Sequence, residues 1–228
     1  MIRDQETLDQ LVDMIRQFVE GVLIPHENEV AETDEIPQDI VEQMKALGLF
    51  GLTIPEEYEG LGLTMEEEVY VAFELGRTSP AFRSLIGTNN GIGSSGLIID
   101  GTEAQKSFFL PRLARGEVIS SFCLIEPDAG SDAASLKTSA VKDGDFYVLN
   151  GSKRFITNAP HAATFTVKLL NWNEIAILQE FIVQNTGPPR SIAKKNVQQI
   201  TEEPNGRGLI AFNSIEEKGS SPRFFLKC

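Results

Sequence analysis

Val118-Ile-Ser-Ser-Phe-Cys-Leu-Ile125 runs directly into Glu126-Pro-Asp-Ala-Gly-Ser-Asp132, and at this junction the periodicity of the chain changes. The first segment is short enough for a buried strand and follows the helix-stopping Gly116. The second concentrates turn formers and small residues, so the strand ends in a loop. Small residues let a ligand approach the main chain, and backbone N–H groups together with the Ser131 hydroxyl could then face a phosphate or a carbonyl. A plain connecting loop is the simpler account of the same residues taken alone.

On the N-terminal side the pattern is helical. Leu8, Leu11, Val12, Ile15, Phe18, Val19, Val22 and Leu23 follow the i, i+3, i+4, i+7 rule of one helix face, and Pro25 is expected to end that helix. A second helix is expected from Pro37, carrying Ile40, Val41, Met44 and Leu47 inward and stopping at Gly48. Thr64-Met-Glu-Glu67 and Thr102-Glu-Ala-Gln105 both have the form of a capping box, and Pro111 is expected to kink or restart the second of these helices. On the C-terminal side, Asp143-Gly144 and Asn150-Gly151 suit tight turns with positive φ. Strands near 136–142, 145–149 and 152–157 should therefore form an antiparallel meander, which strands near 163–168 and 177–183 would extend. The fold class is α+β: an all-helical N-terminal domain (1–118), an antiparallel, barrel-like middle β-domain (119–197) and an atypical tail (198–228) in which Pro204-Asn-Gly-Arg-Gly208 and Gly219-Ser-Ser-Pro222 suggest loops.

Composition narrows the function. Twenty basic against 33 acidic side chains leave a net charge of −13, which disfavours nucleic acid as a partner. Two cysteines and two histidines cannot build a disulfide framework or a typical structural zinc site. No stretch approaches the roughly 18 apolar residues of a spanning helix, and the expectation is a soluble protein of a reducing compartment, the cytoplasm, away from membranes. Gly91-Ile-Gly-Ser-Ser-Gly96 matches the letters of a dinucleotide fingerprint but lacks the preceding strand that gives those glycines their role, so close helix packing is the better reading. Lys153-Arg-Phe-Ile-Thr157, read as a strand, sends Phe155 and Thr157 to one face and Ile156 to the other.

Four stretches together resemble the flavin-dependent acyl-CoA dehydrogenases, in the family's order and spacing: Ile54-Pro-Glu-Glu-Tyr-Glu-Gly-Leu-Gly62, Leu110-Pro-Arg-Leu-Ala-Arg-Gly-Glu117, Cys123-Leu-Ile-Glu-Pro-Asp-Ala-Gly-Ser-Asp132 and Asn150-Gly-Ser-Lys-Arg-Phe-Ile-Thr-Asn158. The resemblance runs to Val167. It implies FAD as cofactor and an acyl-CoA as substrate. Phe122, Leu124 and Ile125 would line the flavin ring, Ser131 would sit at the cofactor phosphate and the thioester substrate, and Phe155, Ile156 and Thr157 would cover the flavin. It further implies oxidation to a trans-2-enoyl-CoA, electrons leaving to an electron-transferring flavoprotein, and a homo-oligomer.

The sequence departs from the family at two places. Ile125 stands where the family usually has Thr or Ser, removing a hydroxyl that would hydrogen-bond the isoalloxazine. Beyond Val167 the pattern fades, the C-terminal helical bundle is missing, and with it the family's catalytic glutamate, so no residue is assigned as the base. Glu126, Asp128 and Asp132 lie in turns, where a carboxylate more commonly caps backbone than accepts a substrate proton. Two further functions fit the same residues: a non-catalytic remnant that binds acyl-CoA or flavin or pairs with a full-length relative, and an acyl-CoA oxidase on the same scaffold.

Overall fold

The structure is a computed structural model that describes residues 4–143, 146–159, 161–169, 174–179, 208–212, 215–217 and 224–227. Helix α1 (Gln5–Phe18) starts at Asp4, whose carboxylate accepts from the Glu6 N–H. Pro25 does not end the helical path, contrary to the expectation from sequence. One widened turn (Val19–Leu23) and one tight turn (Ile24–His26) follow, and the chain continues into α2 (Glu27–Thr33). Pro25 sits in the first residues of the tight turn, where no N–H is needed, and the widened turn before it absorbs the mismatch.

Helices α3 (Gln38–Ala46), α4 (Met65–Leu75), α5 (Pro80–Asn90), α6 (Ser95–Asp100) and α7 (Glu103–Ala114) complete the helical half. Both capping boxes form: Thr64 with Glu67 opens α4, and Thr102 with Gln105 opens α7, which carries Pro111 without ending there. Ile15, Val19, Leu23, Ile40, Met44, Phe50, Val71 and Phe82 share one buried cluster; Ile54, Leu97, Phe109, Leu113 and Val118 form a second beneath α7. Residues 91–94 form the turn between α5 and α6, and Gly96 lies in the first turn of α6. A Cβ at Gly93 would lie 2.1 Å from Ser120 Oγ and 2.6 Å from the Thr88 carbonyl oxygen, so this glycine serves close packing against the sheet.

The sheet is not the antiparallel meander expected. Strand β1 (Ser120–Cys123) pairs in parallel with β4 (Thr164–Lys168), β4 pairs antiparallel with β5 (Glu174–Gln179), and β5 pairs in parallel with β6 (Gly208–Phe212). Parallel neighbours need a long crossover, and the excursion between β1 and β4 supplies it. That excursion carries the hairpin β2 (Ser139–Asp143) and β3 (Phe146–Asn150), which joins β8 (Phe224–Lys227) and β7 (Ile215–Glu217) in a separate antiparallel sheet of order β2-β3-β8-β7. The atypical tail 198–228, in which no family strand is expected, carries the strands β6, β7 and β8; of the loops expected at 204–208 and 219–222, Gly208 lies in β6 and the other residues lie outside the described residues. The chain re-enters beside the start of β1, where Ala163 N–H donates to the Ile119 carbonyl at 2.9 Å.

The expected third meander strand, 152–157, is also absent. Phe155 and Asn158 have φ of 58° and 61°, which breaks strand alternation, so the sharing of one face by Phe155 and Thr157 does not follow from strand geometry. Gly151 does not turn a hairpin. Its backbone lies against Thr138, and a Cβ there would come within 2.2 Å of Thr138 Oγ1. The part of the expected 177–183 strand beyond Gln179 lies outside the described residues.

Candidate functional site

β1 is fixed from behind before it presents anything to a ligand. Asn89, on α5 and fully buried, donates to the carbonyls of Leu113 (3.0 Å) and Val118 (2.8 Å) and accepts from Ser120 N (2.8 Å) and Ser120 Oγ (3.1 Å). Thr166 on β4 donates to the Gly93 carbonyl at 3.1 Å. Ser120, Ser121 and Cys123 are buried, while Phe122, Leu124 and Ile125, at and just beyond the strand's end, are half-buried. Burial pushes the Cys123 thiol up to about 12, against the opposing pull of the Lys153 ammonium, so it is a small core residue and not a nucleophile.

The 126–132 loop closes on itself through a short bridge, with Glu126 N–H donating to the Ala129 carbonyl at 2.8 Å. The Glu126 carboxylate turns inward. It accepts from the N–H groups of Lys137 (2.7 Å) and Thr138 (2.9 Å), from the Thr138 hydroxyl, and from Lys153 Nζ (2.9 Å). Burial works against the charge, yet the hydrogen bonds from Thr138, Lys153 and the two backbone N–H groups outweigh it and hold the carboxyl at about 2. Asp132 caps the turn Ala133–Ser135 and Asp128 pairs with Lys137 at the surface. Ser131 is exposed beyond the bridge.

The 153–158 segment folds over this strand end. Lys153 Nζ donates to the Leu124 carbonyl at 2.9 Å as well as to Glu126; Arg154 N–H donates to the Ile125 carbonyl at 3.0 Å; Ser121 Oγ donates to the Thr157 carbonyl at 2.7 Å. Asn158 Nδ2 reaches across to α5, bonding the carbonyls of Ser84 (3.0 Å) and Leu85 (3.1 Å) and Thr88 Oγ1 (2.9 Å). Phe155 is left 77% exposed, its ring under the Arg154 guanidinium at 4.6 Å. Ile156 is half-buried and Thr157 exposed. Two stretches distant in sequence are thus brought together: Phe122, Leu124 and Ile125 on one side, Phe155, Ile156 and Thr157 on the other. Sequence reasoning missed Asn89, Lys153 and Asn158. Only Lys153 gave a signal that could have been read, since a lysine shortly after Asn150-Gly151 faces the acidic Glu126 loop once the two motifs are set side by side.

Profiles of the acyl-CoA dehydrogenase N-terminal domain and middle domain match residues 5–117 and 121–204. The chain belongs to the acyl-CoA dehydrogenase family. It is 42% identical over 163 residues to (2S)-methylsuccinyl-CoA dehydrogenase of Cereibacter sphaeroides, a match covering 71% of this chain and 30% of that protein. It is also 34% identical over 185 residues to an acyl-CoA dehydrogenase of Bacillus subtilis, covering 80% of this chain and 48% of the relative. Against curated relatives such as these the chain spans between about a quarter and a half of their length. The solved acyl-CoA dehydrogenase complexed with FAD from Bacillus anthracis superposes with a TM-score of 0.66 at 32% identity, over 73% of this chain and 29% of that one. No helix among the described residues is long and apolar enough to cross a membrane, and no cluster of metal-ligating side chains occurs among them.

The residues at the strand end fit a flat, largely apolar ring with polar edges. Three half-buried apolar side chains share the strand end with the segment that carries the exposed Phe155 ring and the exposed Thr157, and Ser131 is exposed on the adjoining loop.

Proposed function

We propose that the chain forms the helical and sheet portions of an FAD-dependent acyl-CoA dehydrogenase, oxidising an acyl-CoA to a trans-2-enoyl-CoA. The observation that carries this reading is the convergence of Phe122–Ile125 with Phe155–Thr157 through the Lys153, Arg154 and Ser121 hydrogen bonds. FAD, when bound, supplies the acceptor for the hydride leaving the substrate's β-carbon. Phe122, Leu124 and Ile125 would give the ring an apolar floor, Phe155 and Ile156 would cover it and exclude water, and the Thr157 hydroxyl would meet its polar edge. Ser131 would bind cofactor phosphate and substrate thioester. Ile125 offers that ring no hydrogen bond, which would weaken cofactor binding by roughly tenfold to a hundredfold relative to a hydroxyl at the same place.

Proton removal from the α-carbon needs a carboxylate able to accept. Glu126 is saturated by four donors and held at about 2, so it is spent on structure. Asp128 and Asp132 are engaged at the surface as described. The base in this reading comes from outside the described residues, and an electron-transferring flavoprotein and further copies of the chain are the partners it implies. That same observation favours a second reading, a protein that binds flavin or acyl-CoA without turnover. Titration of the purified chain with FAD, followed by anaerobic addition of a saturated acyl-CoA, separates the two. Flavin bleaching supports the dehydrogenase; binding without bleaching supports the second; no binding of FAD defeats the first.

A further inference from the structure

Phe155 holds a left-handed backbone, φ 58°, that bulky side chains rarely adopt, and Asn158 three residues on does the same at 61°. Such a conformation persists only where its surroundings over-determine it. The constraints here are unequal. Arg154 N–H and Ser121 Oγ each make one neutral hydrogen bond and Asn158 Nδ2 makes three to α5 at the far end, whereas Lys153 brings a charge, 11% exposed, onto a carboxylate that is 5% exposed. The same ammonium also bonds the Leu124 carbonyl, and Glu126 reaches on to Lys137 and Thr138. One pair therefore ties together the end of β1, the 126–138 loop and the 153–158 segment.

We propose that the buried Lys153–Glu126 pair is a latch that holds the 153–158 loop, and with it the Phe155 ring and the Thr157 hydroxyl, in register with Phe122–Ile125. Lys153 and Glu126 are positioning residues: neither is needed to touch the cofactor, and both act by fixing residues that would. The role as a cofactor-positioning device rests on the FAD-site reading above; the role as a latch does not. Removing one member of a buried pair leaves the other charge uncompensated, so Lys153→Met and Glu126→Gln should open the loop, while Lys153→Arg, whose planar fork can reach both acceptors, should largely restore it.

The test uses the full 228-residue chain, with hydrogen exchange of peptides spanning residues 152–159 and chymotrypsin cleavage after the exposed Phe155 as readouts that need no flavin. Expected for Lys153→Met and Glu126→Gln is an increase of at least about tenfold in exchange of the Arg154 amide and in cleavage rate, with exchange in α1–α4 unchanged. FAD should bind about tenfold more weakly to both, with an altered visible circular dichroism band, and Lys153→Arg should recover both signals. Unchanged exchange and cleavage in Lys153→Met would overturn the latch. Opened loops with undiminished FAD binding would overturn its positioning role. Wild-type chain that binds no FAD would sink the FAD-site reading, and the exchange and cleavage data would still decide the latch. If Glu126→Gln fails to fold, Lys153→Met and Lys153→Arg carry the comparison alone.

Discussion

Replacing Asn89 by leucine tests whether the helical half positions the sheet. Leucine keeps the branched heavy-atom outline of asparagine but is bulkier, so the change removes the polar bonding and any overpacking adds to the loss. Four bonds are lost: two donated to the Leu113 and Val118 carbonyls at 3.0 and 2.8 Å, and two accepted from Ser120 N and Oγ at 2.8 and 3.1 Å. The Ser120 hydroxyl can rotate toward another acceptor. Its N–H cannot move, and because the Leu113 carbonyl keeps the Gly116 N–H at 3.0 Å, two buried groups, that Ser120 N–H and the Val118 carbonyl, are left unpaired at about 1 to 3 kcal/mol each. A total of about 4 kcal/mol is a large share of the 5–15 kcal/mol that typically holds a domain together. With a urea slope of about 2 kcal/mol per molar, the midpoint of unfolding should fall by roughly 2 M. Equilibrium denaturation followed by far-UV circular dichroism reads this directly. A midpoint within about 0.5 M of wild type would refute the claim that this side chain bolts α5, the end of α7 and β1 together.

Acid should act through Glu126. Its carboxyl is held at about 2 in the folded chain against about 4.3 when unfolded, so the stabilisation is fully present above pH 4.3 and is lost as pH falls toward 2, amounting to about 3 kcal/mol. Glu126→Gln should flatten that limb of a stability-against-pH curve, and a parallel loss in the variant would count against the assignment. Gly93→Ala should cost about 1 to 3 kcal/mol or more in thermal or urea unfolding, because the added methyl meets both Ser120 Oγ and the Thr88 carbonyl oxygen, of which only the first can swing away. Cys123, its thiol raised to about 12 and buried, should resist iodoacetamide at pH 8 in the native protein and react readily in denaturant, as mass spectrometry of the peptide would show.

The helical half was readable because its signals are local. Thr64 with Glu67 and Thr102 with Gln105 satisfy backbone donors within one turn, so the spacing alone specifies the contact. The sheet was harder. Whether β1 meets its neighbour in parallel depends on where a crossover of some 40 residues returns, and no local pattern encodes that. The Asn150-Gly151 pair misled for a related reason. A glycine wanted for positive φ and a glycine wanted for close approach look identical in sequence, and here Thr138 against the Gly151 backbone decides for the second. At the candidate site, the motifs drew attention to Phe122–Ile125 and Phe155–Thr157, but the groups that hold those two stretches together could not be read from them. A buried asparagine at position 89 looks like any polar residue of a helix until the carbonyls of Leu113 and Val118 are seen converging on it.

Both limbs of the candidate site are referenced to the same helix. From α5, Asn89 fixes the start of β1, while Ser84, Leu85 and Thr88 accept the Asn158 side chain that anchors the far end of the 153–158 loop. The turn after α5 adds a third point, since the Gly93 carbonyl accepts from Thr166 on β4. A small displacement of α5 would therefore carry strand and loop together and preserve the distance between Ile125 and Phe155, which Lys153 and Arg154 set independently. The two sets of bonds divide the work: those to α5 decide where the site lies relative to the helices that would flank an acyl chain, and those from Lys153 and Arg154 decide the width of the slot itself. Substitutions at Asn158 should then alter how substrate is placed relative to the ring more than they alter the binding of the ring, whereas substitutions at Lys153 should do the reverse.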